Sequence, residues 1–578
     1  MKPVGRATPE TVQVPGMSPH AVSPRGLVRT VTRRRRRDLI LGSVFVMLHQ
    51  ASEAVIPIMI GLAIDRAIVT GDEAAMARWV GLLVIVFVVL SCAGLVGYYS
   101  LERAQLWIAH DVRQGVVGRA LDPRGGVGVR SGDVVSIASN DAEEVGAVSW
   151  AIGLGAGALP ALVGGSVFLL AVSLPLGLVI MVGVPIVVVV VMALSRPLVG
   201  RSEQEQAAVA TATGVATDLL RGLRVLTGLG VGAAASPRYR VASRSALAAR
   251  LRSARFFAGY EGLTLGVSGA LVVVVAWLGG RLALEGDITV GQLVAAVGLA
   301  QFLIGPLSLL IESGALVATV RAAAHRVVDL RSRPTAVDDD ALDVPSPDPK
   351  APAVHLEGVG DRHLTNVHLA VDSGAVVGIV AEPAEAAAIV ELLGRRRDPD
   401  RGRLLLGGVD VRDWPLDRFR REVVVSAAHA ELFDGALGEQ IAVAAEPMSI
   451  DAAIEAAAVD EVLDAVPDGL GARIGEYGRR LSGGQRQRVV LARALATDAP
   501  VLVLHDPTTA VDASTEHLIA GRVARLRRGR GTTIFVTTTP ALLSICDRVA
   551  VVRDGATAAT GRHDELLHDP AYVEQVLR

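Results

Sequence analysis

Long apolar segments without charge dominate the first half of the chain. Three of them run from Trp79 to Leu101, from Gly262 to Gly280 and from Ile288 to Ile311. Each approaches or exceeds the roughly 20 residues that a helix needs to cross a bilayer. The pattern therefore predicts membrane-spanning helices.

A longer uncharged run, from Val145 to Ser195, exceeds the length of one span. The sequence Ser173 to Gly177 contains proline and glycine at its middle, which indicates a turn and a helical hairpin. The segment from Leu39 to Ile64 is apolar except for His49 and Glu53. The length rule then gives about six spans.

Arginine placement predicts the orientation of these spans. Positive charge gathers before the first span and in the loops after the second and fourth: Arg33 to Arg37; Arg113, Arg119, Arg124 and Arg130; Arg221, Arg224, Arg238, Arg240 and Arg244. The opposite loops are acidic, with Asp65, Asp72, Glu73, Glu285 and Asp287. Because cytoplasmic loops carry the positive excess, both termini are expected in the cytosol. The first apolar segment is not followed by a small-residue cleavage site, so residues 1–37 are interpreted as a cytosolic tail rather than a signal.

The composition changes near Arg331, where prolines and aspartates become frequent. Residues 331–353 are interpreted as a linker between a membrane domain (38–330) and a second domain (354–578). Short apolar runs in the second domain alternate with helical patterns: Ala375 to Val380, Val423 to Val425, Val501 to Leu504, Thr532 to Val536 and Val549 to Val552. This alternation predicts an α/β domain with a mainly parallel sheet.

The amino-acid composition argues against nucleic acid and for a lipid bilayer as the partner of this chain. Basic and acidic residues number 57 and 59, a net charge of −2, so the chain has no basic excess for a nucleic-acid backbone. Hydrophobic residues make up 51% and mean hydropathy is +0.45, which favours a lipid bilayer as partner. Cys92 and Cys546 are the two cysteines, and neither lies in a metal-ligand pattern.

The strongest motif runs from Leu481 to Arg488 and leads into an amphipathic helix. Gly483 and Gly484 leave backbone N–H groups uncovered at the positive end of the helix dipole, and the Ser482 hydroxyl adds a donor. An ordinary helix start with two glycines would explain neither all eight residues from Leu481 to Arg488 nor the apolar strand from Val501 to Leu504 that follows. We expect this motif to contact a phosphate.

With these residues the chain resembles the ATP-binding cassette (ABC) transporters, specifically half-transporters of the exporter type. The resemblance covers nearly everything after residue 37 and rests on five segments: Leu481 to Gln485 (signature motif), Ala510 to Asp512 (D-loop), Ile474 to Glu476 (the segment before the signature), and Ser131 to Asp141 and Leu219 to Val225 (intracellular loops). It implies an all-α six-helix transmembrane domain fused to an α/β P-loop-type nucleotide-binding domain. It also suggests short helices around Arg124 to Gly132 and Thr227 to Arg238 that dock on nucleotide-binding domains.

The phosphate-binding loop departs from the family. A P-loop needs glycines, a Lys for the β- and γ-phosphates and a Ser or Thr for Mg²⁺. Ala387 stands at the Lys position and Ala388 at the hydroxyl position, while Glu382 and Glu385 add negative charge. Lysine occurs only at positions 2 and 350, so no nearby lysine can substitute.

The other catalytic positions also depart from the family's residues. His505 replaces the family's Mg²⁺-associated Walker B Asp, and Asp506 replaces its catalytic Glu. Ala428 replaces the Q-loop Gln, and Thr538 replaces the switch His. No aromatic residue lies between residues 354 and 364 to stack on adenine. The chain's own ATPase site is therefore expected to be inactive.

The resemblance then implies an asymmetric heterodimer, because in this family one chain's P-loop and the other chain's signature hold ATP between them. Ser482, Gly483, Gly484, Gln485 and Asp512 would contact ATP and Mg²⁺ held by a second half-transporter with intact Walker A, Walker B Glu and switch His. The chain alone is expected to bind no ATP and to have no ATPase activity.

Charged and polar groups within spans suggest a substrate cavity, because they are costly in lipid. They are His49, Glu53, Glu261 and Glu312. The carboxylates suit a cationic or polar amphiphile; pairing within the bundle, or a position near the membrane interface, is the alternative for each. The leading hypothesis is export of a small molecule or lipid across the cytoplasmic membrane. An exporter-fold importer, for example of iron chelates, and a regulatory or channel-like protein with a scaffold cassette are the alternatives.

Overall fold

The computed structural model describes residues 23–228, 230, 232–341, 347–428, 431–443 and 450–577. Contacts divide the chain into two compact units. One comprises the residues up to 119 with 129–332, and the other comprises 120–128 with 333–578. The loop 120–128 thus belongs to the second unit, although in sequence it lies between two predicted membrane helices.

The first unit is helical. Its helices are α1 Pro24–Arg34, α2 Arg36–Ala63, α3 Glu73–Ala120, α4 Ser131–Ser136, α5 Ala142–Gly146, α6 Val148–Val172, α7 Leu174–Arg221, α8 Leu223–Gly228, α9 Gly232–Glu285, α10 Val290–Phe302 and α11 Ile304–Ser332, with π-helical turns at Ile64–Ile68 and Ile137–Asp141. Six helical stretches are long and apolar enough to cross a membrane: Arg36–Ile68, Glu73–Ala120, Ser131–Val172, Leu174–Ala193, Ser236–Glu285 and Val290–Ser332. The predicted six-helix membrane domain is confirmed.

The predicted turn in the long uncharged run is present at Ser173. Its φ of −159° and ψ of 124° interrupt the helix between α6 and α7. Pro175 then stands in the first turn of α7, where its missing N–H costs no helical hydrogen bond. Two separate spans result from one apolar run.

Glycines allow close helix contacts in this unit. Gly61 on α2 and Gly291 on α10 face each other so closely that a methyl group on either would overlap the other's backbone. Asp65 reinforces this contact by accepting hydrogen bonds from the Thr289 hydroxyl and from the Gly291 N–H, the latter at 2.9 Å. The first and last spans are therefore joined at this end.

Helix α1 lies within the segment interpreted as a tail. Leu27 and Val31 are buried on one face, and the Ser23 hydroxyl accepts the Gly26 N–H at its start. Residues 1–22 lie outside the part of the chain that the structure describes.

The second unit contains a six-stranded sheet of order β10-β9-β3-β8-β7-β6 and a four-stranded sheet of order β2-β1-β4-β5. The strands are β1 Val354–Gly360, β2 Val367–Val371, β3 Val376–Val380, β4 Arg401–Leu406, β5 Val409–Asp410, β6 Val423–Ser426, β7 Val501–His505, β8 Thr532–Val536, β9 Arg548–Arg553 and β10 Ala556–Gly561. In the larger sheet only the β9–β10 pair is antiparallel. The predicted α/β domain with a mainly parallel sheet is confirmed.

Helices cover the larger sheet on both faces. They are α12 Pro383–Leu393, α13 Leu416–Glu422, α14 Leu437–Ala442, α15 Ile450–Ala456, α16 Asp460–Ala465, α17 Gly483–Leu495, α18 Ala513–Arg527, α19 Pro540–Ser544, α20 His563–Leu566 and α21 Pro570–Val576, with 3₁₀ turns at Val411–Asp413, Gly469–Gly471 and Glu476–Gly478. Buried aliphatic side chains form a core on each side of the sheet.

The loop 120–128 is held by the start of the linker. The backbone N–H groups of Ala336 and Val337 donate to the Arg124 carbonyl at 3.0 and 3.2 Å. Arg420 donates to the Pro123 carbonyl at 2.6 Å. Residues 123–130 form no helix, contrary to the expectation for Arg124 to Gly132, because three glycines here adopt positive φ. The second expected helix, within Thr227 to Arg238, falls partly outside the described residues; α8 ends and α9 begins there.

Candidate nucleotide-binding site

The positions expected to form the nucleotide site lie at one edge of the larger sheet. Ala387 follows β3, Thr538 follows β8, Asp506 follows β7 and Ala428 follows β6. These four strands are neighbours and run parallel, so their carboxyl ends share an edge. That edge is where open α/β sheets bind ligands.

The loop after β3 is short because helix α12 begins early. Val380 ends the strand, and Pro383 already stands in the first turn of the helix. A phosphate-binding loop instead needs several consecutive backbone N–H groups directed at the ligand. Here Pro383 has no N–H, and the Ala386 N–H donates to the Glu382 carbonyl at 2.8 Å.

The Glu385 side chain accepts one backbone N–H at this helix start and one from a distant turn. Its Oε2 accepts the Glu382 N–H at 3.1 Å, and its Oε1 accepts the Gly555 N–H at 2.6 Å. The side chain is buried, with 8% of the residue exposed. Gly555 belongs to the two-residue turn between β9 and β10, where both Asp554 and Gly555 have positive φ.

Residues 381–388 supply no cationic side chain and no hydroxyl group for a nucleoside triphosphate. Ala387 is exposed and carries no cation, and Ala388 is buried at 2% exposure without a hydroxyl for Mg²⁺. The Glu385 carboxylate already accepts the Glu382 N–H in this segment. Adding phosphate charges beside Glu382 and Glu385 would be repulsive.

The Walker B positions also lack the family's ligands. The His505 Nε2 lies 3.7 Å from Oδ2 of Asp506, an ion pair only when the imidazole is protonated. Asp506 has a φ of +45°, and its N–H donates to the Val536 carbonyl at 3.1 Å. At the neighbouring strands, Ala428 offers no side-chain amide and the exposed Thr538 offers no imidazole.

The signature motif, in contrast, has the geometry of an anion site. Ser482 caps α17: its Oγ accepts the Gln485 N–H at 3.2 Å, and the Gln485 side chain accepts the Ser482 N–H at 2.8 Å. Ser482 and Gly483 are exposed. The hydroxyl accepts in this cap, so its own proton is available to a phosphate oxygen.

Contacts to the D-loop fix the signature helix. A methyl group on Gly484 would lie 2.7 Å from the Ala510 carbonyl oxygen. The Gln487 side chain donates to the Thr509 hydroxyl and accepts the Ala510 N–H, both at 2.7 Å. Sequence reasoning included Gln487 in the motif but missed this role, since its partners lie more than 20 positions away.

Asp512 is exposed and caps helix α18. It accepts the Ser514 hydroxyl at 2.6 Å and the Thr515 N–H at 3.0 Å. These hydrogen bonds, that of Ser514 foremost, hold the pKa of the Asp512 carboxyl below its usual range. The carboxylate thus remains ionised beside the signature helix at any physiological pH.

The four candidate residues in the membrane unit lie on three helices: His49 and Glu53 on α2, Glu261 on α9 and Glu312 on α11. His49 Nδ1 lies 2.9 Å from the Leu90 carbonyl, and its ring contacts the Tyr98 ring edge to face. Glu53 follows His49 by one helical turn. Glu261 and Glu312 are exposed on α9 and α11. Across the described ranges, no group of three His, Cys, Asp or Glu side chains could hold a metal ion.

Comparison with known proteins agrees with this architecture. Residues 39–307 match the model of the ABC transporter transmembrane region, and residues 364–509 match the model of the ABC transporter domain. A structure of a bacterial Atm1-family ABC exporter with ATP bound superposes with a TM-score of 0.73, covering 95% of this chain and 98% of that one at 24% identity, which establishes likeness of fold.

Two curated relatives illustrate the range of similar proteins. A multidrug efflux ATP-binding/permease protein of Mycobacterium tuberculosis is 31% identical over 92% of this chain and 45% of its own length. The chain thus spans about half the length of that relative. An ATP-dependent lipid A-core flippase of Thiobacillus denitrificans is 27% identical over 92% of this chain and 94% of its own length.

The family's nucleotide-binding domains use ATP and Mg²⁺ in general. The matching membrane region, the matching cassette and the six apolar helices together make this chain a multi-pass membrane protein. It belongs to the ABC transporters.

Proposed function

We propose that the chain is one subunit of a heterodimeric ABC transporter that moves a small molecule or lipid out across the cytoplasmic membrane. It contributes its signature motif to the ATPase site of its partner, while its own Walker A and Walker B positions are inactive. The observation that carries the proposal is the hydrogen bond from the Gly555 N–H to the buried Glu385 carboxylate. A buried carboxylate thus belongs to the segment that corresponds in sequence to the family's phosphate-binding loop, which supports an inactive site.

Electrostatics supports an inactive site in this chain. Neither Lys2 nor Lys350 lies near residue 387 in sequence, and the two acidic side chains there oppose a triphosphate. His505 and Asp506 replace the residues that would hold Mg²⁺ and orient water. Because all these groups are missing from the same edge of the sheet, we expect that the chain without a partner does not bind ATP.

The signature motif supports the proposal that this chain completes the ATPase site of its partner. Its helix keeps the Ser482 cap, the uncovered glycine backbone and the Gln487 link to the D-loop. A chain that had lost every nucleotide function would have no reason to keep this arrangement. We infer that it faces ATP and Mg²⁺ bound by a second half-transporter with intact Walker A, Walker B Glu and switch His.

Cargo and orientation follow from the membrane unit. The names of the relatives, a multidrug efflux protein and lipid A-core flippases, favour a small molecule or lipid as cargo. The arginine-rich loops favour a topology with both termini in the cytosol.

The test is ATP hydrolysis by the purified heterodimer with single substitutions in this chain. Ser482→Ala removes one donor to the developing phosphate charge and should lower turnover by roughly 10²–10³. Gly484→Asp should abolish hydrolysis, because its carboxylate meets the γ-phosphate and its Cβ crowds Ala510. Asp506→Ala and Thr538→Ala should leave turnover largely unchanged. The reverse pattern, with Gly484→Asp active and Asp506→Ala inactive, would contradict the proposal.

A further inference from the structure

Exposed arginines cluster around the junction of the first two helices, at the start of the first span. Helix α1 ends at Arg34 and α2 begins at Arg36. The residue between them, Arg35, has a φ of −102° and a ψ of 19°, which are not helical. The exposed arginines on the two sides of this break are Arg25, Arg29, Arg33, Arg34, Arg36 and Arg37.

Helix α1 has an apolar face and a basic face. Leu27 and Val31 are buried where α1 packs against α11 and α6. Arg25, Arg29 and Arg33 follow one another at intervals of four residues, so they share the opposite, exposed face. Because the protein covers the apolar face, α1 presents arginine side chains to any outside partner.

Two of the arginines lie one helical turn from exposed aliphatic side chains of α2. Arg36 and Arg37 precede Ile40 and Leu41 by four residues, so each pair shares a helix face. Ile40 is 62% exposed and Leu41 45% exposed, on a helix long and apolar enough to span a membrane. One turn rises only about 5.4 Å. Arg36 and Arg37 therefore lie at the level where hydrocarbon ends and lipid phosphates begin.

Trp107 on α3 marks the same level. Its residue is 43% exposed, and the Arg35 guanidinium lies 4.8 Å from its ring centroid. Tryptophan is enriched at the interfaces between membrane and water. Arg35 also pairs with Asp111 at 3.2 Å. These contacts hold the junction against α3 and engage the Asp111 carboxylate, so it does not neutralise the other arginines.

The arginines beside Arg35 lack a counter-charge within the described part of the chain. There, Arg34, Arg36 and Arg37 form neither an ion pair nor a side-chain hydrogen bond. Asp38, which follows them directly in sequence, lies 4.0 Å from Arg103 instead. Residues 1–22 contain one acidic residue against one lysine and one arginine, so their charge adds to the positive excess. A compensating anion therefore comes from outside the chain.

We propose that Arg34, Arg36 and Arg37 bind the phosphodiester headgroups of anionic phospholipids in the surrounding bilayer. Guanidinium groups donate paired N–H groups to phosphate oxygens, and the acyl chains lie along Ile40 and Leu41. The lipid is a partner bound at the outer surface of the membrane domain, not its cargo. The inference goes beyond the proposed function and requires only the spanning helices.

A second arginine cluster on α9 separates a lipid site from a general effect of positive charge. Arg238, Arg240 and Arg244 are also exposed. Arg244, the last of them, precedes the uncharged segment that starts at Gly262 by about 27 Å of helix, at about 1.5 Å per residue. That separation exceeds the Debye length of about 10 Å at 0.1 M salt. This second cluster is therefore a matched control of equal charge.

The experiment counts the lipids bound to the purified full chain by native mass spectrometry. Delipidated protein in an uncharged detergent is titrated with phosphatidylglycerol, or with phosphatidylcholine of the same acyl chains. We expect tighter binding of phosphatidylglycerol. One arginine near an anionic lipid surface contributes about fivefold in affinity. Arg34→Gln, Arg36→Gln and Arg37→Gln together should therefore weaken binding of phosphatidylglycerol by roughly a hundredfold and remove most of the preference.

Matched variants separate the position of the charge from its amount. Arg238→Gln, Arg240→Gln and Arg244→Gln together remove the same charge and should bind phosphatidylglycerol as the wild type does.

Lysine substitutions and a soluble probe test the chemistry of the site. Arg34→Lys, Arg36→Lys and Arg37→Lys together keep the charge and should retain most of the binding. Glycerol phosphate carries the anionic group without acyl chains, and at the same concentration it should not displace phosphatidylglycerol. This probe distinguishes a lipid site from a site for free phosphate.

Equal affinity of the wild type for the two lipids, or equal loss of binding in the two glutamine variants, would overturn the inference. Displacement of phosphatidylglycerol by glycerol phosphate would overturn the lipid as its ligand. A measurement on the wild type alone avoids any effect of substitution on folding: raising the salt about tenfold should weaken binding of phosphatidylglycerol but not of phosphatidylcholine. Binding of phosphatidylglycerol that is insensitive to salt would also contradict the site. Because the assay contains neither ATP nor a partner, its failure is distinct from that of the proposed function.

Discussion

The Glu385 carboxylate accepts the backbone N–H of Gly555 at 2.6 Å, joining the start of α12 to the turn between β9 and β10. The same carboxylate accepts the Glu382 N–H, so one buried side chain serves two backbone donors from segments 170 residues apart. Glu382 lies in the segment that corresponds to the family's phosphate-binding loop, where backbone N–H groups face a ligand. Here the protein itself supplies the acceptor.

Removing this acceptor should destabilise the cassette. In Glu385→Ala the Gly555 N–H, which is buried, loses its partner, and an unsatisfied buried donor costs about 1–3 kcal/mol. We expect a lower unfolding temperature for the full chain in nanodiscs. Ala387→Lys, at an exposed position two residues away, is the control and should unfold as the wild type does. Equal unfolding temperatures for Glu385→Ala and wild type would contradict a structural role for this contact.

Restoring the lysine should not restore nucleotide binding. Ala387→Lys adds a cation, but Glu385 still accepts the Glu382 N–H, Ala388 still lacks a hydroxyl and α12 still starts at Pro383. Calorimetric titration of the purified variant with Mg-ATP should give no heat of binding in the micromolar range. Micromolar affinity in this single variant would show that the loop, as folded, can still surround a phosphate.

The sequence predicted those parts of the fold that depend on local pattern. The six spans follow from apolar length, and the break at Ser173 follows from local turn chemistry. The five predicted strands are the continuous apolar runs of the larger sheet. The four-stranded sheet was not predicted: β2 is a five-residue strand with two exposed positions, β1 contains two glycines, and β5 has two residues.

Long-range contacts could not be predicted. The identity of Glu385 indicated a charge unfavourable for phosphate, but its contact with Gly555 depends on the packing of β9 and β10 beside β3. The same limit applies to ring contacts between membrane helices. His49 was singled out from the sequence, whereas Tyr98, which its ring contacts, and Trp150, which stacks on Tyr98, were not. No periodicity along one helix indicates which ring on another helix it meets.

The contact between α2 and α10 should be sensitive to a single methyl group. Gly291→Ala places a Cβ against the Gly61 carbonyl and the Asp65 carboxylate, and such overpacking costs roughly 1–3 kcal/mol. Gly280→Ala on α9 meets nothing within 4 Å and should be neutral or stabilising, because Ala is favoured over Gly in a helix by about 0.8–1.0 kcal/mol. The unfolding temperature in nanodiscs should therefore fall for Gly291→Ala and stay the same or rise for Gly280→Ala. A shift of the same sign and size in both variants would argue against this close approach.

Acidification should weaken the carboxyl-terminal part of the cassette through His563. Burial lowers the pKa of this imidazole below its ordinary 6.5, opposed by the Asp564 charge, and its Nδ1 lies 2.7 Å from the Tyr572 hydroxyl. The folded state thus binds fewer protons than the unfolded state below about pH 6.5. The stabilising contribution is complete above that pH and is lost as the pH falls through the lower, folded-state pKa.

His563→Gln tests this pH dependence, since the amide can keep a hydrogen bond to the Tyr572 hydroxyl but does not titrate. Unfolding temperatures are measured for both proteins at pH 7.5, 6.5 and 5.5. We expect the wild type to lose stability relative to the variant as the pH falls, because only the wild type must exclude a proton that its unfolded state binds. His517→Gln, at an exposed position on α18, controls for the loss of an imidazole. A difference between wild type and His563→Gln that stays constant over this range would mean that burial of His563 does not couple folding to protonation.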